Sequence, residues 1–418
     1  MNLHKIYMLI RMSFSIDVWK ALFKMYLIHR KGDPKFNFII FLKMLYVLLM
    51  KEKIVKYKNK YIVGSWLPPI PSKAMFTMIN AVPIYNKKYT CHAYALKSAP
   101  TLMHLCVTSK CINNCKYCSV KNRKKGRELS TIEWKRVIGR LQDMGISYIV
   151  FTGGEPLLRK DIFDLIQYVD NRSKSCLFTT GYKLTEKVAY KLKRSGLFSV
   201  FVGIDIPSKT SDKKFKQALN AIKVLRKAGL YVGAQMVVLK EQLNKKKLFK
   251  FFKLLKKHGV YEIRILTPII SGNLINESNI DDIIFNEEEN KKLYKIQHKA
   301  NKKFCIPKIS VYSYYESKEK YGCNAGIQNS YISESGDLFP CDFVPMSFGN
   351  VLDIDVSFLW KSMNEIINKP RSKCMAQKYN KQLINKNLPI SKSMATDILL
   401  EDLFNYDYPK VYKIIQSK

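Results

Sequence analysis

Acidic side chains are scarce in this sequence of 418 residues, where 33 Asp+Glu face 72 Lys+Arg and leave a formal net charge of +39. A field of that sign suits nucleic acid or an anionic membrane surface. The lysines are spread over every region, however, and Asn, Ile and Tyr are abundant beside them. A lysine-rich composition throughout is the simpler account. No arginine–aromatic recognition motif is present, and nucleic acid is not expected as a partner. Long apolar runs are missing too. The best candidate, 36–50, is broken by Asn37 and Lys43 and flanked by Lys35 and Lys51, short of the roughly 20 apolar residues of a spanning helix. No low-complexity tract or repeated unit is apparent. No signal peptide precedes the ten cysteines, so the expectation is a reducing cytoplasm, with peripheral membrane contact as the furthest departure, rather than a disulfide framework. The length suits two or three domains with ample core.

What is present is a cysteine loop one ligand short. The stretch Cys106-Val-Thr-Ser-Lys-Cys-Ile-Asn-Asn-Cys-Lys-Tyr-Cys-Ser119 sets Cys111, Cys115 and Cys118 in the pattern C-x3-C-x2-C. Four thiolates close a zinc site or fill a cubane, whereas three leave one iron of a cubane open to an outside ligand. An open metal position is reactive, so the loop points to chemistry. Asn113 and Asn114 tolerate its tight turn. Residues 102–108 ahead of it read as a short buried strand. Behind it, Ser130 or Thr131 caps a helix through Gly145, with Glu133 in the first turn. A zinc knuckle using Cys106, or plain reduced thiols, is the other reading of the same residues. A second strand at 147–152 runs into Gly153-Gly-Glu-Pro156. Its glycines let a ligand approach the backbone, and the Glu155 carboxylate is an acceptor for an ammonium group. Such a turn is common on its own.

Together the two motifs resemble the radical S-adenosylmethionine (radical SAM) superfamily. The resemblance implies that Cys111, Cys115 and Cys118 hold a [4Fe–4S] cluster whose free iron is chelated by S-adenosylmethionine. It places Tyr117 near the adenine and Gly153, Gly154, Glu155 and Pro156 at the methionine ammonium. It implies reductive cleavage to methionine and a 5′-deoxyadenosyl radical, which abstracts a substrate hydrogen while the protein supplies position and dryness. A reductant such as ferredoxin or flavodoxin is the implied electron source.

Strand and helix patterns continue to alternate: strands at 175–180, 198–206, 231–239 and 261–267, helices at 184–195, 212–228 and 245–258. This predicts an α/β fold, a partial (β/α)6 barrel of the TIM type, with active residues at the strand C-terminal ends. Thr180 and Asp205 fall there. Thr179-Thr-Gly-Tyr182 resembles the family's Thr-Asn-Gly turn with Thr180 in the Asn position, and Asp205 resembles a residue lying near the ribose. The Pro207–Thr210 loop lacks the histidine the family often has. In 245–257, Leu248, Phe251, Phe252 and Leu255 share one face, expected to pack on the sheet with the lysines outside.

Beyond the barrel stand Cys323, Gly336-Asp-Leu-Phe-Pro-Cys341 and Cys374, and a hairpin pattern at 331–339 would bring Cys323 and Cys341 together. The arrangement resembles the auxiliary-cluster domain called SPASM, or its shorter twitch form. That implies one auxiliary Fe–S cluster on Cys323, Cys341 and Cys374, with Cys305, another side chain, substrate or nothing as fourth ligand. Buried thiols are the plain alternative, and Cys91, Cys106 and Cys176 read as core. The domains are then 1–100 (a basic helical extension and linker, with the proline connector at 67–71), 101–268 (barrel), 269–307 (connector), 308–380 (auxiliary unit) and 381–418 (tail). The N-terminal helices, near 8–27 and 36–50, are expected to pack on the barrel exterior, with a membrane surface as the alternative. The expected function is a radical SAM enzyme acting on a peptide or small metabolite. A modifier of a lipid or membrane-bound metabolite is the alternative, and a non-catalytic Fe–S or zinc nucleic-acid-binding protein the reading of a different class. No catalytic base is legible, although Asp342 is available beside Cys341.

Overall fold

The computed structural model describes residues 3–32, 36–49, 51–81, 98–207, 212–400 and 409–410; Cys91 and most of the Pro207–Thr210 loop lie outside them. The N-terminal part contains α1 (Leu3–Ser13), α2 (Ile16–Gly32), α3 (Phe38–Leu49), a hairpin of β1 (Val55–Tyr57) and β2 (Lys60–Ile62), and α4 (Lys73–Asn80). Met8 and Met12, then Val18, Ala21 and Met25, then Phe41 and Met44 repeat at three and four residues, the spacing of one helix face. These rows meet in a core of their own with Ile54, Tyr61 and Val63. The helices therefore pack chiefly on one another, and the segment after them reaches the barrel. Tyr57 donates its hydroxyl to Gly229 O at 2.5 Å, and Lys53 Nζ donates to Lys303 O and Ile306 O, each at 2.6 Å. Among the described residues no helix is long and apolar enough to cross a membrane.

The barrel runs β3 (Leu102–Cys106), α5 (Thr131–Met144), β4 (Tyr148–Thr152), α6 (Ile162–Tyr168), β5 (Lys174–Thr179), α7 (Glu186–Arg194), β6 (Ser199–Gly203), α8 (Lys213–Lys227), β7 (Tyr231–Val237), α9 (Lys245–Lys257) and β8 (Glu262–Leu266). Its strands pair in parallel in that order, as the alternating pattern predicts. Strand ends stop short of the predicted ranges because their last residues leave the ladder to build the mouth. Asp205, beyond β6, turns to accept from Val237 N at 3.2 Å. Ser130 caps α5 in a reciprocal capping box with Glu133, and Gly145 ends the helix at φ 101°. Leu248, Phe251, Phe252 and Leu255 are buried under α9, each contributing about 1.5–3 kcal/mol by leaving water.

The sheet does not stop at six strands. After α10 (Ile280–Ile283) and α11 (Glu287–Asn301), β9 (Lys308–Val311) adds in parallel to β8. Past α12 (Tyr312–Tyr315), β10 (Asn329–Ile332) adds in parallel to β3 and carries antiparallel β11 (Leu338–Phe339). Helices α13 (Val356–Ile366), α14 (Met375–Tyr379) and α15 (Lys392–Leu400) complete the C-terminal unit, and the sheet order is β11-β10-β3-β4-β5-β6-β7-β8-β9. The partial barrel is thus extended at both edges by the cysteine-bearing unit. Strand β9 opens on Lys308, which is fully buried and pairs with Glu52 at 3.3 Å; Glu52 also meets Lys320 at 3.5 Å. This interior cluster ties the N-terminal segment to the C-terminal unit.

Candidate active site

Cys111, Cys115 and Cys118 sit on the loop that leaves β3 at the mouth of the barrel. The loop is held from two sides. From β4, Gly154 N donates to Thr108 O and Glu155 N to Lys110 O, both at 2.8 Å. A Cβ on Gly154 would fall 2.1 Å from Lys110 O and 2.9 Å from Cys111 Cβ, and one on Gly153, at φ +146°, 2.3 Å from Thr108 O. Only glycine fits there. From beyond β8, Asn273 Nδ2 donates to Cys115 O at 2.7 Å and Asn273 N to Cys118 O at 3.0 Å. Gly272, at φ +53°, would place a Cβ 1.9 Å from Cys118 O. This second clamp falls in the stretch read from sequence as a mere connector; its signal was the Ser-Gly-Asn turn just after the last barrel strand.

The thiol of Cys111 is exposed and those of Cys115 and Cys118 are half-buried. All three line the same cavity mouth, and burial, then the neighbouring Cys118 and Cys111, push the Cys115 thiol up. Three clustered sulfur donors on a glycine-cradled loop open to the cavity fit a cubane with one iron left for an outside ligand. Among the described residues, no three His, Cys, Asp or Glu side chains are arranged around a single metal ion.

Glu155 is fully buried. Its Oε1 accepts from Thr179 Oγ1 at 2.7 Å and Leu157 N at 3.2 Å. Its Oε2 accepts from Thr180 N at 2.7 Å and Thr180 Oγ1 at 2.6 Å. Those four bonds occupy the acceptor positions of a carboxylate. Sequence reasoning set this carboxylate against an ammonium group; here it locks the Gly-Gly turn to the 179–181 turn, leaving the backbone of that turn for the mouth. Thr180, in the expected Asn position, spends both of its donors on Glu155. Pro156 is buried and opens a short 3-10 turn, Pro156–Leu158. Tyr117 donates its hydroxyl to Asp205 Oδ2, so two residues chosen separately from the sequence form one unit. Burial, then Asp205, push the Tyr117 phenol well above its ordinary range.

A cavity of about 490 Å³ starts at this mouth, where Cys111, Gly153 and Thr180 line it. It passes His104, Phe178 and Phe201 in the barrel and reaches Met25, Met44 and Leu48 of α2 and α3. Burial lowers the pKa of the His104 imidazole. Arg123 stands on the cavity wall with Nη2 donating to Ser119 O at 3.0 Å and to Asp342 O. Its guanidinium lies 5.7 Å from the Tyr331 ring and 5.5 Å from that of Phe339. Buried Nε and Nη1 of Arg123 have no protein partner. Nothing in the sequence singled this residue out.

Within the second cysteine group, Cys323 and Cys374 come together. Cys323 N donates to Arg371 O at 2.6 Å and Arg371 N returns to Cys323 O at 3.0 Å, which brings Cys374 to Cys323. Their contact, then burial, push the Cys323 thiol up. Cys341 is buried, its Sγ 3.1 Å from Asp342 Oδ1. Burial and then Cys323 raise the Glu316 carboxyl. Cys305 does not join them. It is exposed, on the turn whose Lys303 and Ile306 carbonyls hold Lys53. Cys106 is buried with its Sγ 3.5 Å from Glu334 Oε2, and Cys176 is buried within β5.

The radical SAM superfamily profile matches residues 105–255. An AdoMet-dependent heme synthase of Methanosarcina barkeri (strain Fusaro / DSM 804) is 30% identical over 309 residues, 66% of this chain and 86% of that protein. The chain belongs to the radical SAM superfamily. The radical SAM fold is shared with native anSMEcpe with bound AdoMet and Kp18Cys peptide, at TM-score 0.53 and 17% identity over 76% of this chain and 99% of that one. It is shared also with Streptococcus suis SuiB bound to S-adenosylmethionine, at TM-score 0.53 and 14% identity over 63% of this chain; the match spans 66% of SuiB, just under two thirds. The C-terminal unit with its buried cysteines fits a SPASM-like extension of such a core. A radical SAM enzyme, with its [4Fe–4S] cluster bound, splits S-adenosylmethionine into methionine and a 5′-deoxyadenosyl radical that takes a substrate hydrogen. Membership sets aside the non-catalytic nucleic-acid-binding reading.

Proposed function

We propose that this radical SAM enzyme takes hydrogen from a small acidic metabolite with a broad apolar body, carboxylate-bearing tetrapyrroles being the first class to test. Arg123 carries the reading. Two buried guanidinium nitrogens without a hydrogen-bond partner, on a half-buried side chain, cost free energy unless an anion completes them, and a planar fork matches a carboxylate in two-pronged fashion. Arg123 joins the cysteine loop at Ser119 to Asp342 beside Cys341, so an acid held there stands between the two cysteine groups. The aromatic walls from Phe178 and Phe201 suit an apolar body. The name of the Methanosarcina relative supports the same class.

In this reading Cys111, Cys115 and Cys118 hold the [4Fe–4S] cluster. Gly153, Gly154 and Pro156 shape the turn that meets the S-adenosylmethionine ammonium, with Glu155 and Thr180 bracing it. Tyr117 and Asp205 close on the nucleoside. Cys323, Cys341 and Cys374 hold one auxiliary Fe–S cluster, with the Glu316 and Asp342 carboxylates beside it, and ferredoxin or flavodoxin supplies electrons. Protein reconstituted anaerobically should form 5′-deoxyadenosine faster with an iron coproporphyrin than without. Arg123→Ala should abolish that stimulation while keeping the slow basal cleavage. Equal rates with and without every carboxylate-bearing tetrapyrrole tried would rule that class out. A second reading, a lipid or membrane-bound metabolite, is favoured by the cavity's reach to Met25, Met44 and Leu48. Deuterium transfer from a labelled lipid extract into 5′-deoxyadenosine would decide for it.

A further inference from the structure

The first three helices are apolar on two opposite sides. Their inward rows build the N-terminal core, but each carries a second row facing outward. On α1 it is Leu3, Tyr7, Ile10 and Phe14; on α2, Ile16, Trp19, Phe23 and Leu27; on α3, Phe38, Leu42 and Tyr46. All are exposed, with Phe14 at 84%, Ile16 at 71% and Trp19 at 57% at the corner where α1 meets α2. That corner is fixed: Trp19 Nε1 donates to Ser13 O at 2.7 Å. An outward row of this length on three successive helices far exceeds the single exposed apolar residues normal for a protein surface.

Charge decides what covers it. Eight Lys and Arg between residues 3 and 49 face two acids, Asp17 and Asp33. Arg11, Lys20, Lys24, Arg30 and Lys31 are exposed on the same helices as the apolar rows. A second copy of the chain would bring like charges together, since the whole molecule carries +39. An anionic bilayer surface offers apolar depth for the rows and negative headgroups for the rim.

We propose that α1, α2 and α3 dock this enzyme on an anionic bilayer, lying in the interface with the outward rows buried among the acyl chains. This goes beyond the substrate reading and does not depend on it. The helices then form a single-layer wall, with lipid on one side and the cavity end at Met25, Met44 and Leu48 on the other.

Flotation of the full chain with vesicles tests the proposal. Phosphatidylcholine vesicles containing phosphatidylglycerol should carry the protein up, phosphatidylcholine alone much less, and high salt should weaken the binding. Trp19→Glu with Phe23→Glu should weaken binding on the order of tenfold or more, since each puts a charge at the acyl boundary. Basal 5′-deoxyadenosine formation should be unchanged, which shows that the variant is folded. Should that variant lose basal cleavage, Lys20→Glu with Lys24→Glu replaces it, with the same loss of binding expected. On adding anionic vesicles the emission of the parent chain should shift to the blue and that of Trp19→Phe should not, since Trp134 and Trp360 are already buried and Trp66 lines the cavity. Absence of flotation with anionic vesicles overturns the proposal. So does equal flotation of parent and a folded variant, or a dimer in solution that the double variant abolishes without any vesicle binding.

Discussion

Tyr117 and Asp205, 88 positions apart in sequence, are joined by a hydrogen bond from phenol to carboxylate at the barrel mouth. The second oxygen of Asp205 is tied to Val237 N at 3.2 Å, so the pair fastens the cysteine loop to the rim beyond β6 and β7. A hydrogen bond to a charged acceptor contributes about 1.5–3 kcal/mol. Tyr117→Phe and Asp205→Asn should each weaken S-adenosylmethionine binding roughly ten- to a hundredfold by that account. Because they share one bond, the double variant should lose less than the sum. Equilibrium dialysis of the reconstituted enzyme checks it. The phenol is raised in the folded chain, so its contribution to stability is complete below the unfolded value of about 10 and is lost as pH rises above it. No limb from Tyr117 should therefore enter the activity profile at neutral pH.

Gly272 is a sharper test of the cysteine loop, because it lies in no recognised motif. Gly272→Ala forces a Cβ onto Cys118 O, and the strain of positive φ adds about 1 kcal/mol. Iron content after reconstitution should fall severalfold, with the barrel still folded by circular dichroism. Wild-type iron content in that variant would show that the 271–273 clamp does not shape the loop.

Removing the Cys111, Cys115 and Cys118 thiols together by alanine substitution should leave iron and sulfide bound, held by Cys323, Cys341 and Cys374. Adding Cys341→Ala should then remove the remainder. Iron quantification on the two proteins is decisive for the auxiliary site.

Glu52→Ala deletes the one carboxylate shared by Lys308 and Lys320, both fully buried. Breaking a buried pair from one side costs about 3–5 kcal/mol. The melting temperature should drop by several degrees, and Glu52→Gln should recover part of it. Burial lowers the pKa of the Lys320 ammonium, and the Glu52 carboxylate opposes that shift; with Glu52 gone, burial acts on the ammonium without that counterweight.

Much of this molecule was legible in advance for physical reasons. The parallel strands are buried on both faces, so each is a short apolar run, and Ser130, Glu133 and Gly145 announce the ends of α5. The cysteine loop and glycine turn were legible because metal ligation and close backbone approach admit few residues. Strand β9 was not, since its Lys308 is buried only because Glu52, far away in sequence, lies beside it. Arg123 was hidden in a lysine-rich stretch, where its charge blends with solvated neighbours. The inward task of Glu155 depends on Thr179 and Thr180, and no motif carries that geometry. For the N-terminal helices the pattern revealed apolar faces but not that each helix has two.

Strand pairing at both edges of the sheet has a mechanical consequence. Tyr331 sits opposite His104 and Ile332 opposite Leu105 on one side, while Ile309 sits opposite Ile263 on the other. The ladder therefore works as a ruler. The C-terminal unit is tied to the barrel by register at both edges, and moving it along the barrel would require slipping a strand by two residues and breaking its hydrogen bonds. A displacement of that unit therefore comes in whole steps of the ladder, with two strand edges to break, rather than as a gradual slide.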